Sequence, residues 1–158
     1  MDDTTCGHYI PYRILHKDSS TTPIRVVYDC SCKQVNNPSL NDYLDTGPSL
    51  IKDLVEILIR FRLYPIRLVS DIEKAFLNIQ LEENDRDYTK FLWLSDPADP
   101  DSDFNVYRFK AILFDAVSSP FILNAVMKTY LESEPNTMTK DLLDNIYMDN
   151  LVSGAIHL

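Results

Sequence analysis

The stretch IRLVSDIEKAF, at residues 66–76, decides how this chain is interpreted. Its first part, IRLVS, is apolar and β-branched and predicts a strand over residues 66–70. Asp71 stands where that strand ends, and the residues after it lead into a helical turn. A carboxylate on rigid backbone at a strand end is a suitable ligand for a hard cation such as Mg²⁺.

A second candidate ligand is Asp149. The apolar stretches 145–148 and 151–153 flank Asp149-Asn150, a dipeptide that suits a tight hairpin turn. A sheet that joined this hairpin to the strand at 66–70 would bring Asp71 and Asp149 together, as a two-metal phosphoryl-transfer site requires. Taken singly, the simpler interpretations are a helix cap for Asp71 and a turn residue for Asp149.

Further patterns predict a mixture of helices and strands. Residues 8–15 and 24–28 favour a β-hairpin, and 91–94 and 107–114 favour two more strands. Gly47-Pro48 predicts the start of a helix that ends before Pro65. Ser118-Ser119-Pro120 predicts a capped helix that runs to Ser133.

Composition places limits on the kind of protein. A chain of 158 residues with 45% hydrophobic side chains can bury the core of one domain. No apolar run approaches the roughly 18–20 residues that span a bilayer, and the first residues do not form a signal peptide. We therefore expect no membrane partner and an intracellular, cytoplasmic location. Cys6, Cys30 and Cys32 fit no zinc spacing and are expected to be free thiols.

Net charge opposes one class of function. A net charge of −9 argues against strong, sequence-independent binding of nucleic acid, which depends on Lys and Arg neutralising phosphates. Nucleic-acid binding then requires that the acidic residues lie away from the bound nucleic acid, or that other segments supply basic residues. A nucleic-acid-binding module on a ferredoxin-like sheet would need aromatic residues in a basic setting, and the sequence has no clear basic face.

Several motifs in a fixed order make the chain resemble the reverse transcriptase of BEL/Pao-type LTR retrotransposons. The resemblance runs from about Tyr9 to Gly154. In chain order the motifs are RVVYDCS at 25–31, SLND at 39–42, LIRFRL at 58–63, DIEKAF at 71–76, DRD at 85–87, FLW at 91–93, SSPF at 118–121 and YMDN at 147–150.

The resemblance implies an α+β, right-hand polymerase fold with a ferredoxin-like antiparallel sheet. The chain would be a single, partial reverse transcriptase domain, with fingers over about 1–63 and an incomplete palm over about 64–158. The implied reaction is template-directed addition of deoxynucleoside triphosphates to a primer on RNA or DNA, with two Mg²⁺ or Mn²⁺ ions. A thumb, an RNase H and an integrase are expected elsewhere in the polyprotein, and the isolated chain is expected to be inactive.

The resemblance also assigns roles to individual residues. The metal ligands would be the carboxylates of Asp71 and Asp149, the carbonyl of Ile72 and the amide of Asn150, in the hairpin that Tyr147 and Met148 begin. The nucleotide would be bound by Lys17 and Arg25 at its triphosphate, by Phe76 at its sugar, and by the helix that starts at Ser119 and Pro120.

Two residues depart from the family's pattern. Asn150 stands in place of a second aspartate, which replaces a charged ligand by a neutral amide. Asp115 stands in place of a glycine, and we expect its side chain to obstruct a position that needs bare backbone. Both departures favour an alternative function class, a non-catalytic remnant of a retroelement polyprotein.

Overall fold

The computed structural model describes residues 8–16, 18 and 23–156, which contain both helices and strands. The strands are β1 (Tyr12–His16), β2 (Ile24–Tyr28), β3 (Ile66–Asp71), β4 (Lys90–Leu94), β5 (Phe104–Arg108), β6 (Ile146–Tyr147) and β7 (Asn150–Ala155). The α-helices are α1 (Leu40–Tyr43), α2 (Leu54–Leu63), α3 (Ser119–Ser133) and α4 (Thr137–Asn145), and 3₁₀ helices lie at Ala75–Asn78 and Glu83–Thr89. This mixture confirms the α+β class. Within the described ranges, no helix has the length and apolar character needed to cross a bilayer.

All the sheets are antiparallel. β1 pairs with β2, and β4 pairs with β5, so each forms a two-stranded hairpin. The third sheet has the order β3-β7-β6, with β7 in the centre. The pairing of β3 with β7 joins residues that are far apart in sequence, because about half of the chain lies between the two strands.

The chain divides into two compact units. The first takes the chain up to Asp45 together with Ile79–Val117, and the second takes Thr46–Asn78 together with the chain from Ser118. The expected division into fingers over about 1–63 and palm over about 64–158 stays a prediction. Helix α2, which the resemblance assigns to the fingers, packs against β7 of the three-stranded sheet.

The first unit has a small aliphatic core and a cluster of rings. Its buried residues are Ile10, Cys30, Leu40, Leu113 and Ala116. Rings from the two hairpins pack together beside this core. Tyr12 stacks on Trp93 with centroids 5.1 Å apart, and Tyr28 meets Phe109 edge to face at 4.6 Å. Aromatic pairs of this geometry stabilise by about 0.5–1.5 kcal/mol beyond the area they bury.

Asp115 accepts hydrogen bonds from two residues of this unit. The Cys30 amide donates to Asp115 Oδ2 at 2.9 Å, and Asn41 Nδ2 donates to the Asp115 carbonyl at 3.0 Å. Val117 N in turn donates to Asn41 Oδ1 at 3.0 Å. Asp115 does not have a positive φ, so its backbone does not require glycine. The expected obstruction by its side chain stays a prediction, because the hydrogen bonds within this unit do not test it.

The two cysteines that the structure describes are free, as expected. Cys32 is exposed, whereas Cys30 is completely buried. Burial, followed by the nearby carboxylates of Asp115 and Asp29, raises the pKa of the Cys30 thiol to about 12. The Cys30 side chain therefore acts as a small apolar core residue. Cys6 lies outside the described residues.

We expect Asp42 to make stability depend on pH in the acid range. Hydrogen bonds from Lys33 Nζ and from Ser39 lower the pKa of the Asp42 carboxyl to about 2. A lowered pKa means that this stabilisation is complete above about pH 4 and is lost as the pH falls through 2. The melting temperatures of the wild type and Asp42→Asn should therefore differ at pH 6 and converge towards pH 2.

Asp85→Asn is the matched control for that measurement, because the Asp85 carboxylate accepts no hydrogen bond from the described part of the chain. Its melting temperature should follow the wild type across the whole range. A constant difference between Asp42→Asn and wild type from pH 6 to pH 2 would contradict the assignment. Thermal scans followed by far-UV circular dichroism at each pH give the comparison.

The second unit is built on β7. Both α2 and α4 pack against β7, and α3 packs against α4. Ile57 of α2 is fully buried. Gly154 of β7 lies so close to Tyr64 and to the Ile66 carbonyl that a side chain would collide with them.

Several expected boundaries were wrong. The first long helix begins at Leu54 rather than at Pro48, because Gly47 has φ +68° and Asp53 caps the helix by accepting from Val55 N. β5 covers Phe104–Arg108 rather than 107–114, since it pairs with β4 in that register. The sequence did not predict α4. Ser118 was expected to cap α3, but its side chain makes no capping hydrogen bond.

Candidate metal centre

The sheet of the second unit brings two of the predicted ligand positions together. β3 and β7 pair so that Asp71 lies directly opposite Asn150. Opposed residues of an antiparallel pair have Cα atoms about 4.5–5.5 Å apart and point to the same face. The Ile72 amide also donates to the Asp149 carbonyl at 2.8 Å. Asp71 and Asp149 are therefore neighbours across the strands, although 77 residues of chain lie between them.

The hairpin turn has Met148 and Asp149 at its two central positions. Tyr147 pairs with Asn150, so the expected turn at Asp149-Asn150 is displaced by one residue. Met148 has φ +58°, and Asp149 does not have a positive φ. A positive φ at only the first central residue is typical of a type II′ turn, which favours glycine there. The turn therefore holds methionine in a conformation that costs about 1–3 kcal/mol.

The Asp149 carboxylate lies beside the Asn150 side chain. Asn150 Nδ2 donates to Asp149 Oδ1 at 2.9 Å. Because Asn150 and Asp71 share a face of the sheet, three oxygen-bearing side chains are grouped where β3 ends and the hairpin turns. Asp71 is exposed, and Asp149 and Asn150 are half-buried.

Ile72 can add a fourth oxygen. Its carbonyl accepts from Ala75 N at 3.2 Å, which opens the 3₁₀ helix Ala75–Asn78. A carbonyl has two lone pairs, so this bond leaves capacity for another partner. The next turn contains Lys74, whose φ is +53°. Strained residues thus stand on both sides of the group, at Lys74 and at Met148, and neither strain was predicted from the sequence.

This donor set fits Mg²⁺ or Mn²⁺ better than a softer metal. It consists of two carboxylates, one amide and one backbone carbonyl, all of them oxygen donors. The described residues contain no group of three or more His, Cys, Asp or Glu side chains that could hold a metal ion. The candidate group contains only two such side chains, Asp71 and Asp149, because its third side chain is the asparagine Asn150.

The residues expected to bind the nucleotide lie in several places. In the second unit, Phe76 is only 7% exposed in the 3₁₀ helix Ala75–Asn78, which packs against α3. Ser119 is buried and Pro120 half-buried in the first turn of α3. Arg25 is exposed on β2 in the first unit, and it forms no ion pair with any described residue. Lys17 lies outside the described residues.

Comparison with known proteins adds no assignment to this geometry. No protein-family model matches the chain, and no curated protein matches it either. The group of residues at Asp71 and Asp149 therefore has to be interpreted from its own chemistry.

Four residues that surround the hairpin were not predicted from the sequence. Arg60, Asp141, Asn145 and Ser153 form a hydrogen-bonded network that joins α2, α4 and β7. Asn145 and Ser153 are both buried although both are polar. The only local signal is the four-residue spacing of Asp141 and Asn145, which places them on one face of a helix if the segment is known to be helical.

Proposed function

We propose that this chain is the polymerase module of a reverse transcriptase, which adds deoxynucleotides to a primer on an RNA or DNA template. The observation that carries the proposal is the register of β3 and β7, which sets Asp71 opposite Asn150 and beside Asp149. The sequence predicted that one sheet joins the strand that ends at Asp71 to the hairpin that carries Asp149, and β3 pairs with β7 in that way. A helix cap and a turn residue, taken singly, would not predict this pairing.

In this proposal Asp71 and Asp149 hold the metal ions, with the Asn150 amide and the Ile72 carbonyl as neutral ligands. Two bound Mg²⁺ ions supply activation of the primer 3′-hydroxyl and charge stabilisation at the triphosphate. The strained turn at Met148 fixes the backbone on which Asp149 is carried.

The remaining assignments rest on the resemblance. The fingers, over about 1–63, would direct Arg25 and Lys17 at the triphosphate, and Arg can bind two phosphate oxygens at once. The incomplete palm would span about 64–158. The burial of Phe76 suits a ring that forms the floor under the sugar, and Ser119 and Pro120 begin the helix next to it in the same unit.

The distribution of charge removes part of the objection from the net charge. Eight of the 24 acidic residues lie at 82–103, a segment that has two basic residues. This segment belongs to the first unit, whereas the metal ligands belong to the second. Most of the excess negative charge is thus concentrated on one stretch of the chain, outside the unit that carries the metal ligands.

A non-catalytic remnant is the second candidate, and Asn150 favours it. Replacing a carboxylate by an amide lowers the negative charge that attracts two divalent cations. A remnant can keep the fold and the hairpin while it no longer holds metal ions in a reactive arrangement. The two candidates differ in whether metal binding leads to nucleotide addition.

The test combines metal binding with primer extension. We expect the chain to bind Mn²⁺ in electron paramagnetic resonance titrations, and Asp71→Asn to weaken binding by at least tenfold, or about 1.4 kcal/mol. Asp144→Asn is the matched control, since its carboxylate contacts Lys52 and not the hairpin. Equal affinity in Asp71→Asn and wild type would refute the metal centre.

Primer extension separates the two candidates. The polymerase proposal requires Mn²⁺-dependent addition of a deoxynucleotide to a primer on an RNA template, lost in Asp71→Asn. Asp71-dependent metal binding without any addition, even when further palm and thumb segments are appended, would favour the remnant.

A further inference from the structure

The hairpin that carries Asp149 is weakly held by its own hydrogen bonds. β6 has two residues, so only two residue pairs join it to β7. Short two-stranded pairings are marginal in water without additional contacts. One leg of the hairpin, β7, is fixed by its long pairing with β3, but the other leg needs a different support.

The Asp141 side chain supplies that support. Asn145 Nδ2 donates to Asp141 Oδ1 at 3.0 Å and to the Asp141 carbonyl at 2.9 Å. Ser153 Oγ donates to the other carboxylate oxygen, Oδ2, at 3.0 Å. Asn145 lies four residues before Asp149, and Ser153 lies four residues after it. One carboxylate therefore joins the last residue of α4, which directly precedes β6, to β7.

The connection continues into α2. Arg60 Nε donates to Asn145 Oδ1 at 3.2 Å, and its Nη2 donates to the Asp144 carbonyl. Asn145 and Ser153 are 1% and 6% exposed, whereas Asp141 is exposed and Arg60 is half-buried. Within the described part of the chain, no buried side-chain polar atom is left without a partner. The buried polar groups of Asn145 and Ser153 thus depend on Asp141 and Arg60 for their hydrogen bonds, and losing such a partner leaves a buried donor unsatisfied.

We propose that Asp141 is a positioning residue for the metal centre. Its carboxylate fixes both legs of the hairpin, and this keeps the Asp149 carboxylate beside Asp71. The residue does not touch metal or nucleotide itself. The positioning of the hairpin by Asp141 rests on the hydrogen bonds above. The expected effect on metal affinity rests in addition on the proposed function.

The variants are chosen to break the bridge without removing volume. Asp141→Asn keeps the shape but cannot accept at both positions, because one position becomes an amide that faces a donor. Ser153→Ala removes only the bond to β7. Asp144→Asn is the matched control, three residues further along α4 with an exposed carboxylate that contacts Lys52 at 3.3 Å.

The first readout is amide hydrogen exchange at Ile72, whose N–H donates to the Asp149 carbonyl. Asp141→Asn and Ser153→Ala should accelerate this exchange about tenfold or more, since a bond to a charged acceptor is lost. Asp144→Asn should leave it unchanged. The Ile10 amide, which donates to Lys90 in the first unit, serves as a reference within each protein.

The second readout is the Mn²⁺ dissociation constant from paramagnetic resonance. It should rise about tenfold in Asp141→Asn, with a broader signal from a less ordered site, and remain at the wild-type value in Asp144→Asn. Wild-type exchange at Ile72 in a folded Asp141→Asn protein would overturn the proposal, and so would unchanged Mn²⁺ affinity. If Asp141→Asn does not fold, Ser153→Ala decides by the same two criteria.

The two hypotheses can fail separately. If wild-type protein shows no Mn²⁺ binding that depends on Asp71, the proposed function fails. The exchange rate at Ile72 still shows whether Asp141 holds the hairpin, because that measurement needs no metal.

Discussion

Alanine in place of Gly154 is expected to destabilise the second unit by about 2–3 kcal/mol. Gly154 lies in the central strand β7, opposite Arg67 of β3. A Cβ there would lie 2.5 Å from the Ile66 carbonyl oxygen and from Tyr64 Cγ, and would also meet Tyr64 Cβ. A carbonyl oxygen and a Cβ are fixed to backbone, so relief requires movement of β3 or of the turn before it. Overpacking of this kind typically costs about 1–3 kcal/mol, occasionally more.

Urea unfolding followed by circular dichroism measures this effect. The Tyr64→Gly background supplies the control, because it removes the Tyr64 atoms but keeps the Ile66 carbonyl. The cost of Gly154→Ala should be smaller in that background but should not vanish. Additive effects of the two changes would show that Tyr64 is not the obstacle, and an unchanged midpoint for Gly154→Ala alone would contradict the packing described for β7.

Elements with a strong local signal were predictable. The apolar, β-branched run of β3 predicted a strand over 66–70, which the structure extends by one residue to Asp71. Ser119 and Pro120 identified the start of α3, because proline is tolerated only in the first turn of a helix. In each case the signal lies within the element itself and does not depend on the partner against which it packs.

Other elements depend on distant partners. α4 reads TMTKDLLDN, which has few apolar residues, and its stability comes from packing against α3 and β7. The apolar run at 104–114 contains no local breaker, so only pairing with β4 shows that β5 ends at Arg108. Gly47 is a further example, since a side chain at this position would meet the Phe121 ring.

In the candidate site, too, features with a local sequence signal were predictable and features that depend on distant partners were not. Both acidic candidate ligands could be named from the sequence, since each occupies an element end of a recognisable type. The turn was displaced by one residue because Asp-Asn is the better local turn dipeptide, whereas the pairing of Tyr147 with Asn150 places Met148 in the turn. The network around Asp141 joins residues up to 85 positions apart, and no local pattern encodes such contacts.

Introducing an aspartate by Asn150→Asp is expected to raise the affinity for Mn²⁺ about tenfold, or about 1.4 kcal/mol. The change replaces a neutral amide by a carboxylate on the face that Asp71 shares. It also removes the hydrogen bond from Asn150 Nδ2 to Asp149 Oδ1 and sets like charges side by side. Without metal the variant should therefore be less stable than the wild type, because repulsion replaces an attraction.

Bound Mn²⁺ should make Asn150→Asp more stable than the wild type. A ligand that binds only the folded state stabilises it by an amount that grows with concentration over the dissociation constant. Melting temperatures with and without Mn²⁺ should thus show a larger increase for Asn150→Asp than for the wild type. Asn105→Asp adds the same charge on β5 of the first unit, and it should show only the wild-type increase.

The result also bears on the choice between a polymerase and a remnant. If Asn150→Asp binds Mn²⁺ more tightly, the hairpin still presents this position to a cation, and the asparagine changes the strength of the site rather than its geometry. Equal or weaker binding would mean that the side chain at position 150 does not face the metal. In that case the register of β3 and β7 would place Asp71 near Asp149 without forming a centre, and the remnant would be the better description.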